Sequence, residues 1–286
     1  DLYGHVMLRT LELAHKSARY GMIVPVSIAF SGDFKLLREL LISKQCTWFS
    51  SYDRIPGALF DGVRQRCTIA IGSKQDNKLS YVTPMTRWRT ETRNSLFSMI
   101  AYSDAPDIDL AKFGIPKYET GFDSLFHRLF TFRQDRSQTY RLLGSPYAEE
   151  AIMFSSVAAN FVSVSMRTPP CLDAVNFSEV PSTKSDRCAM ASVEAASIAL
   201  AALSGELYFW YWLTRGDGFD VTGWIINDFL AALASLPQPV KTLLFDMGQL
   251  LDTHQNEALV FKKNAGKYVG NYNYRGLFRY TRRADL

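Results

Sequence analysis

Apolar residues recur along this chain with two periods, and the switches between them mark its elements. Tyr3, Met7, Leu11, Ala14 and Ala18 return every three or four residues and predict a helix over 1–20, with Gly21 as its C′ stop. Met22 to Val26 reads as a short buried strand. Phe34, Leu37 and Leu41 predict a second helix, capped by Ser31. Two β-prone apolar runs follow, 47–51 and 67–71, and Pro56, Gly57 and Gly62 break any helix between them. A polar turn at 74–78 leads into another strand, 79–83. Helix, strand, helix, strand, strand is the grammar of one half of an open α/β sheet.

Beyond residue 85 the pattern changes. Charges crowd Arg87, Arg89, Glu91 and Arg93, and 86–145 reads as a helical connector. Within it Phe122, Leu125, Phe126, Leu129 and Phe130 form a helical stripe that reads as core, which leaves His127 structural or on the surface. Residues 146–286 read as an α+β domain. It has strands within 151–165, a Pro/Ser-rich loop over 167–184 and an alanine-rich helix over 189–203. The aromatic run 207–213 fits plain core better than a sugar or base platform. In the helix over 239–251, Val240, Leu243, Leu244, Met247, Leu250 and Leu251 are expected to pack inward.

With 286 residues, 47% hydrophobic and 21% charged, the chain has the composition of one large or two ordinary globular domains and excludes a disordered class. A net charge of +4 permits nucleic-acid binding without requiring it. Cys46, Cys67, Cys171 and Cys188 are scattered, with no Cys-x-x-Cys pair and no Cys/His set at zinc spacing, so no metal is expected and a reducing cytoplasm suits them. The most apolar stretch, 195–213, is broken by Ser204, Gly205 and Glu206, short of a membrane span. The chain opens at Asp1 without a Met and closes just after Arg282-Arg283, so it is expected to be cut from a longer protein. A nucleophile elbow Gly-x-Ser-x-Gly, a phosphate loop and His-Glu-x-x-His are all missing from the sequence.

Two stretches carry candidate chemistry. The segment between the two β-prone runs holds Arg54, Phe60, Arg64 and Arg66. Guanidinium groups beside a ring suit an anionic, flat ligand such as nucleic acid with an exposed base. Against this, pattern alone favours Phe60 beside Leu59 as a core plug over a base platform, and the arginines as solvated surface over functional groups. Asp33, Asp53 and Asp61 read as solvated loop acids. From Lys262 onward, Lys262, Lys263, Lys267, Arg275, Arg279, Arg282 and Arg283 face one acid, Asp285, and alternate with Tyr268, Tyr272, Tyr274 and Tyr280. With Asn271 and Asn273 this suits phosphate and base-edge contacts; a solvated basic tail is the competing reading.

The run Ser50-Ser51-Tyr52-Asp53-Arg54, Pro56, Leu59 to Val63 and Arg66, then an apolar strand, resembles the segment after the catalytic motif in prokaryotic DNA adenine-N6 methyltransferases of the restriction-modification type. Arg9, Leu11, Leu13, Gly21, Ile23 and Pro25 extend the resemblance upstream. Leu203, Ser204, Leu207 to Trp212 and the turn Gly216-Asp217-Gly218 resemble part of that family's target recognition domain, and Lys267 to Tyr272 its closing motif. The resemblance implies the C-terminal half of a Rossmann-like methyltransferase sheet over 1–85, a connector over 86–145 and an α+β target recognition domain over 146–286. It implies that Phe60 stacks on a flipped adenine and that double-stranded DNA is the partner. Arg54, Arg64, Arg66, Arg215, Asp217, Lys262, Lys263, Lys267, Asn271 and Arg275 are then the DNA-binding candidates. The methyl donor would be S-adenosylmethionine, bound upstream of Asp1 together with an Asn-Pro-Pro-Tyr tetrad. This chain has neither motif. Its one Pro-Pro pair, Pro169-Pro170, is followed by Cys171, and its one Gly-x-Gly is the late 216–218 turn. Alone it is expected to be inactive. The rivals are a non-catalytic DNA-specificity module and an interaction protein of a phage-defence complex.

Overall fold

The computed structural model of the chain describes residues 1–15, 17–43, 45–73, 79–134 and 142–277. The chain divides into two units, residues 1–127 with 213–218 and residues 128–212 with 219–286. This division departs from boundaries at 85 and 145. Residues 86–127 stay with the first sheet, and 213–218 rejoin it from a distant part of the chain.

In the first unit, α1 (Leu2–Leu13) precedes β1 (Arg19–Pro25), α2 (Lys35–Ser43), β2 (Cys46–Tyr52), β3 (Cys67–Ser73), β4 (Ser80–Thr86), β5 (Ser103–Asp104), α3 (Leu110–Phe113) and the start of α4 (Asp123–Gln134). The first helix is shorter than its periodicity predicts. It ends at Leu13, and Arg19 to Gly21 already belong to β1, where Gly21 pairs with Ile71 instead of closing the helix. Ser31 caps as predicted, its side chain accepting from the Asp33 N–H at the short 3-10 turn that leads into α2.

The five strands form one mixed sheet in the order β1-β3-β2-β4-β5. β3 lies between β1 and β2 and runs antiparallel to both, so β1 and β2 point the same way and α2 carries the chain between them. β2 and β4 pair in parallel. β2 and β3 are central and mostly buried, with Phe49 and Ala70 in the core beside Val82 of β4 and with Ile71 exposed, whereas β1 alternates exposed and half-buried positions as an edge strand does.

In the second unit, β6 (Ala151–Ser155), β7 (Val164–Ser165) and β9 (Ser185–Ala189) form an antiparallel sheet in the order β7-β6-β9. β8 (Cys171–Asp173), unexpected inside the Pro/Ser-rich stretch, pairs with β11 (Lys267–Tyr272), which pairs with β10 (Leu259–Asn264). The helices are α5 (Val193–Ser204), α6 (Glu206–Arg215, whose last residues belong to the first unit), α7 (Gly223–Leu233), α8 (Gln238–Thr253) and α9 (Gln255–Ala258).

The aromatic run lies on α6, where three of its five rings are core and Phe209 and Trp210 are half-buried. Tyr208, Tyr211 and Trp212 are buried; Tyr208 and Tyr211 pack on Phe229, and the indole N–H of Trp212 donates to the Asp220 carbonyl at 2.9 Å. α8 does not pack through its most apolar stripe. Of the six expected to pack inward, Leu251 is buried and Leu244 and Met247 are half-buried, but Val240, Leu243 and Leu250 are exposed, and Lys241 and Gly248 are buried in their place. The cause is Gly248, which lies so close to the Ser197 backbone of α5 that a Cβ there would collide with it. All four cysteines are buried free thiols. Among the described residues no helix is long and apolar enough to cross a membrane, and no group of His, Cys, Asp and Glu could hold a metal ion.

Candidate nucleic-acid interface

The loop 53–66 joins two strands that are fixed in register from Cys46↔Ser73 to Tyr52↔Cys67, so its two ends are pinned side by side. Between them the loop is braced from within. Asp53, 1% exposed, contradicts the reading of a solvated acid. Its two carboxylate oxygens each take a guanidinium nitrogen at 2.8 Å, Arg66 Nε on one and Arg87 Nε on the other, and the Arg54 N–H donates to it at 2.7 Å. A buried carboxylate is tolerable only when paired and hydrogen-bonded in this way. Arg93 supplies the second brace. It donates to the carbonyls of Ala58 and Leu59, pairs with Asp61 at 2.8 Å, and lies 5.0 Å over the Trp88 ring. Gly57 fits closely under the Trp88 carbonyl, to which its N–H donates.

Neighbouring residues divide the roles that sequence left open for Phe60. Leu59 packs into the cluster of Tyr52, Trp88 and Leu96 and is the plug; Phe60 is 46% exposed. Gly62, at φ +76°, turns the chain directly beyond it. Arg64 is exposed, and Arg54 is half-buried with its Nη1 donating to the Arg64 carbonyl at 2.9 Å. The loop thus shows solvent the Phe60 ring and the Arg64 side chain, with the Arg54 guanidinium held against the loop backbone.

Three other nominated residues occupy the interior of this unit. Arg66 is buried, paired with Asp53 and donating to the Gly218 carbonyl at 3.2 Å. Burial pulls its guanidinium below its ordinary value, and Asp53 opposes that pull. Arg215 is buried and donates to the Phe113 carbonyl at 2.7 Å. Asp217, half-buried between Gly216 and Gly218, acts electrostatically on both Arg66 and Lys117. The 213–218 segment is thus a structural inlay of the first unit. Sequence reasoning could not separate Arg54 and Arg64 from Arg66, because burial of the third depends on a carbonyl over a hundred positions away.

Sequence reasoning also passed over Arg38. It is fully buried on α2 and donates to the carbonyls of Ile28, Ser31 and Ala111 at 2.7–3.1 Å. Burial, then Arg215, lowers its pKa to about 10. Its signal was only its place on the inward face of α2, between Leu37 and Leu41.

In the second unit Lys262 and Lys263 fall on β10, Lys267 and Asn271 on β11, and Arg275 lies just beyond β11. Pairing of Lys263 with Tyr268 and of Lys262 with Val269 puts Lys263 on one sheet face and Lys262 on the other. Lys267 and Asn271 share the face of Lys262. Lys267 Nζ donates to the Pro181 carbonyl, and the Arg275 guanidinium lies 5.3 Å over Phe209. Residues 278–286, with Arg279, Tyr280, Arg282, Arg283 and Asp285, lie outside the described residues.

A cavity of about 680 Å³ in the first unit is lined by none of the nominated residues; the stacked pair Trp48–Tyr81 and the carboxylates Asp104, Asp107 and Asp123 are on its wall. No protein-family model and no curated protein matches this chain.

Proposed function

We propose that this chain is the C-terminal part of a site-specific DNA adenine-N6 methyltransferase of a restriction-modification or phage-defence system. The observation that carries the reading is the ring of Phe60, held out to solvent on a loop braced by Asp53 and Arg93, beside Arg54 and Arg64. An adenine amino group is reachable for methylation only when the base leaves the helix, and an extruded base needs a flat apolar surface to rest on. The first sheet supports the reading too: β1, α2 and β2 form a crossover unit with β3 slotted antiparallel between the strands, as in one half of a Rossmann-like methyltransferase sheet.

The residues present do not fit the methyl donor. The one Gly-x-Gly is closed, since Gly216 and Gly218 are buried and the Gly218 carbonyl already accepts from Arg66. In this reading S-adenosylmethionine is held by residues N-terminal to Asp1. This chain's own contribution is to seat the base on Phe60, to meet phosphates through Arg54 and Arg64, and to engage double-stranded DNA through Lys262, Lys263, Lys267, Asn271 and Arg275.

The test uses the intact protein that includes this chain, with tritiated donor and duplex DNA. Phe60→Ala should cut methyl transfer by about tenfold or more, the loss of one base–aromatic stack, and leave duplex affinity within about twofold. Unchanged transfer would remove Phe60 from the site. An intact protein that binds DNA and methylates none of it would favour the non-catalytic recognition module.

A further inference from the structure

The loop after β8 carries an exposed ring that no role described so far uses. Phe177 is 62% exposed and sits at φ +59°, a left-handed conformation that a bulky residue rarely adopts. The loop that holds it is closed on itself. The Asp173 N–H donates to the Ser178 carbonyl and the Phe177 N–H to the Asp173 carbonyl. Asp173 Oδ1 accepts from the N–H groups of Val175 and Asn176 at 2.8 and 3.1 Å. The Ala174 N–H donates to the Gly266 carbonyl and ties the loop to the β10–β11 turn. An apolar ring at the tip of a loop this well fixed is strained in its backbone and wetted on its surface. Both costs persist where a binding surface needs them.

One face of the ring is occupied. Phe177 stacks on Tyr268 of β11 with centroids 5.8 Å apart and planes 6° from parallel. Lys263, the cross-strand partner of Tyr268, places its ammonium 5.8 Å from the Tyr268 centroid. Phe261, exposed on the same sheet face, extends the apolar patch. The acids of the loop are Asp173, whose Oδ1 is held by backbone donors, and Glu179, which is exposed. A stacked pair of rings with a cation over one of them has the chemistry of a platform for a planar group carrying a nearby negative charge.

We propose that the Phe177–Tyr268 pair is a stacking platform for an unpaired nucleobase of DNA, with Lys263 meeting an adjacent phosphate. The inference rests on the DNA reading above, at a site separate from Phe60. Stacking is sequence-tolerant, so it would hold a splayed strand in place and leave base choice to other contacts.

The experiment is fluorescence-anisotropy titration of the whole chain with labelled oligothymidylate over a sodium chloride series. The informative variant is Phe177→Asn, because Asn accepts the left-handed backbone and keeps the loop folded. It should weaken binding between about fivefold and a hundredfold at every salt concentration without changing the slope of log affinity against log salt. Phe177→Trp should restore wild-type affinity. Lys263→Gln should instead lower the slope, by about 0.7 for a single-stranded ligand. If Phe177→Asn binds the oligonucleotide like wild type, the platform is overturned while the DNA reading stands. If the wild-type chain binds neither oligothymidylate nor duplex, the DNA reading fails and takes the platform with it.

Discussion

Lys117 is a cation without an anionic partner at hydrogen-bonding distance among the described residues. It is 3% exposed, and its Nζ donates to the Thr214 carbonyl at 2.9 Å. Burial, followed by Arg215, lowers its pKa to about 7. The folded chain therefore sheds this proton between about pH 7 and the ordinary lysine value of about 10.5, where the unfolded chain still holds it. Stability should rise with pH through that window, by a few kcal/mol at most, and the burial penalty should be fully present below it. Urea midpoints of wild type and Lys117→Met at pH 6.5 and pH 9.5 test this. Wild type should gain more than the variant between the two, and equal gains would show that Lys117 is not the titrating group. The same physics separates Asp53, which is buried and doubly paired, from Asp61, which is exposed and singly paired to Arg93, although both are acids of one loop.

At the scale of elements, α8 shows how one glycine outranks a whole stripe. Gly248 lets α8 approach the Ser197 backbone, and the Gln249 side-chain amide then reaches Ser197 Oγ at 2.6 Å. Gly248→Ala adds helix propensity of about 1 kcal/mol, yet it drives a methyl group into backbone that has nowhere to move. The net effect should be a loss of about 2 kcal/mol in chemical denaturation, and a stabilised variant would show that the two helices can part at no cost. Periodicity alone put Leu243 and Leu250 inward because it counts apolar residues and not how near two backbones come. It succeeded where local signals agreed with packing. The helix over 122–132 appears as α4, the run 67–71 lies in β3, although Ile71 is exposed where burial on both faces was expected, and the Ser31 cap forms. It failed at β8, where three residues in a Pro/Ser-rich stretch become a strand only because β11 pairs with them. It failed also at the end of α1, where pairing with β3 recruits Arg19 to Gly21.

Across the whole molecule the charge of +4 is small, so the proposed binding to DNA would rest on where cations lie and not on their number. Lys262 and Lys267 share one face of their sheet and Lys263 takes the other. Replacing all three by Gln should lower the salt slope for duplex DNA by about 1 to 2, as one face or the other meets phosphate, at about 0.9 per contact. A fall near 3 in filter-binding titrations would mean that both faces reach the duplex. The sequence-level reading of these lysines as one basic cluster missed the strand alternation, since β10 and β11 were not recognised as a hairpin. The loop pattern nominated position 60 but favoured a buried plug there, where the ring is exposed, and it did not show which arginines stay outside, because burial of Arg66 depends on residues 213–218 arriving from far along the chain.

That arrival bears on how the protein could be engineered. The carbonyls of Thr214 and Gly218 receive Lys117 and Arg66, and Arg215 in turn donates to the Phe113 carbonyl. A cut after His127 would take the Thr214 carbonyl from Lys117, the Gly218 carbonyl from Arg66, which keeps its pairing with Asp53, and the Phe113 carbonyl from Arg215. On the proposed reading, the second unit could not be exchanged between proteins as a simple cassette: any graft must bring a compatible 213–218 segment.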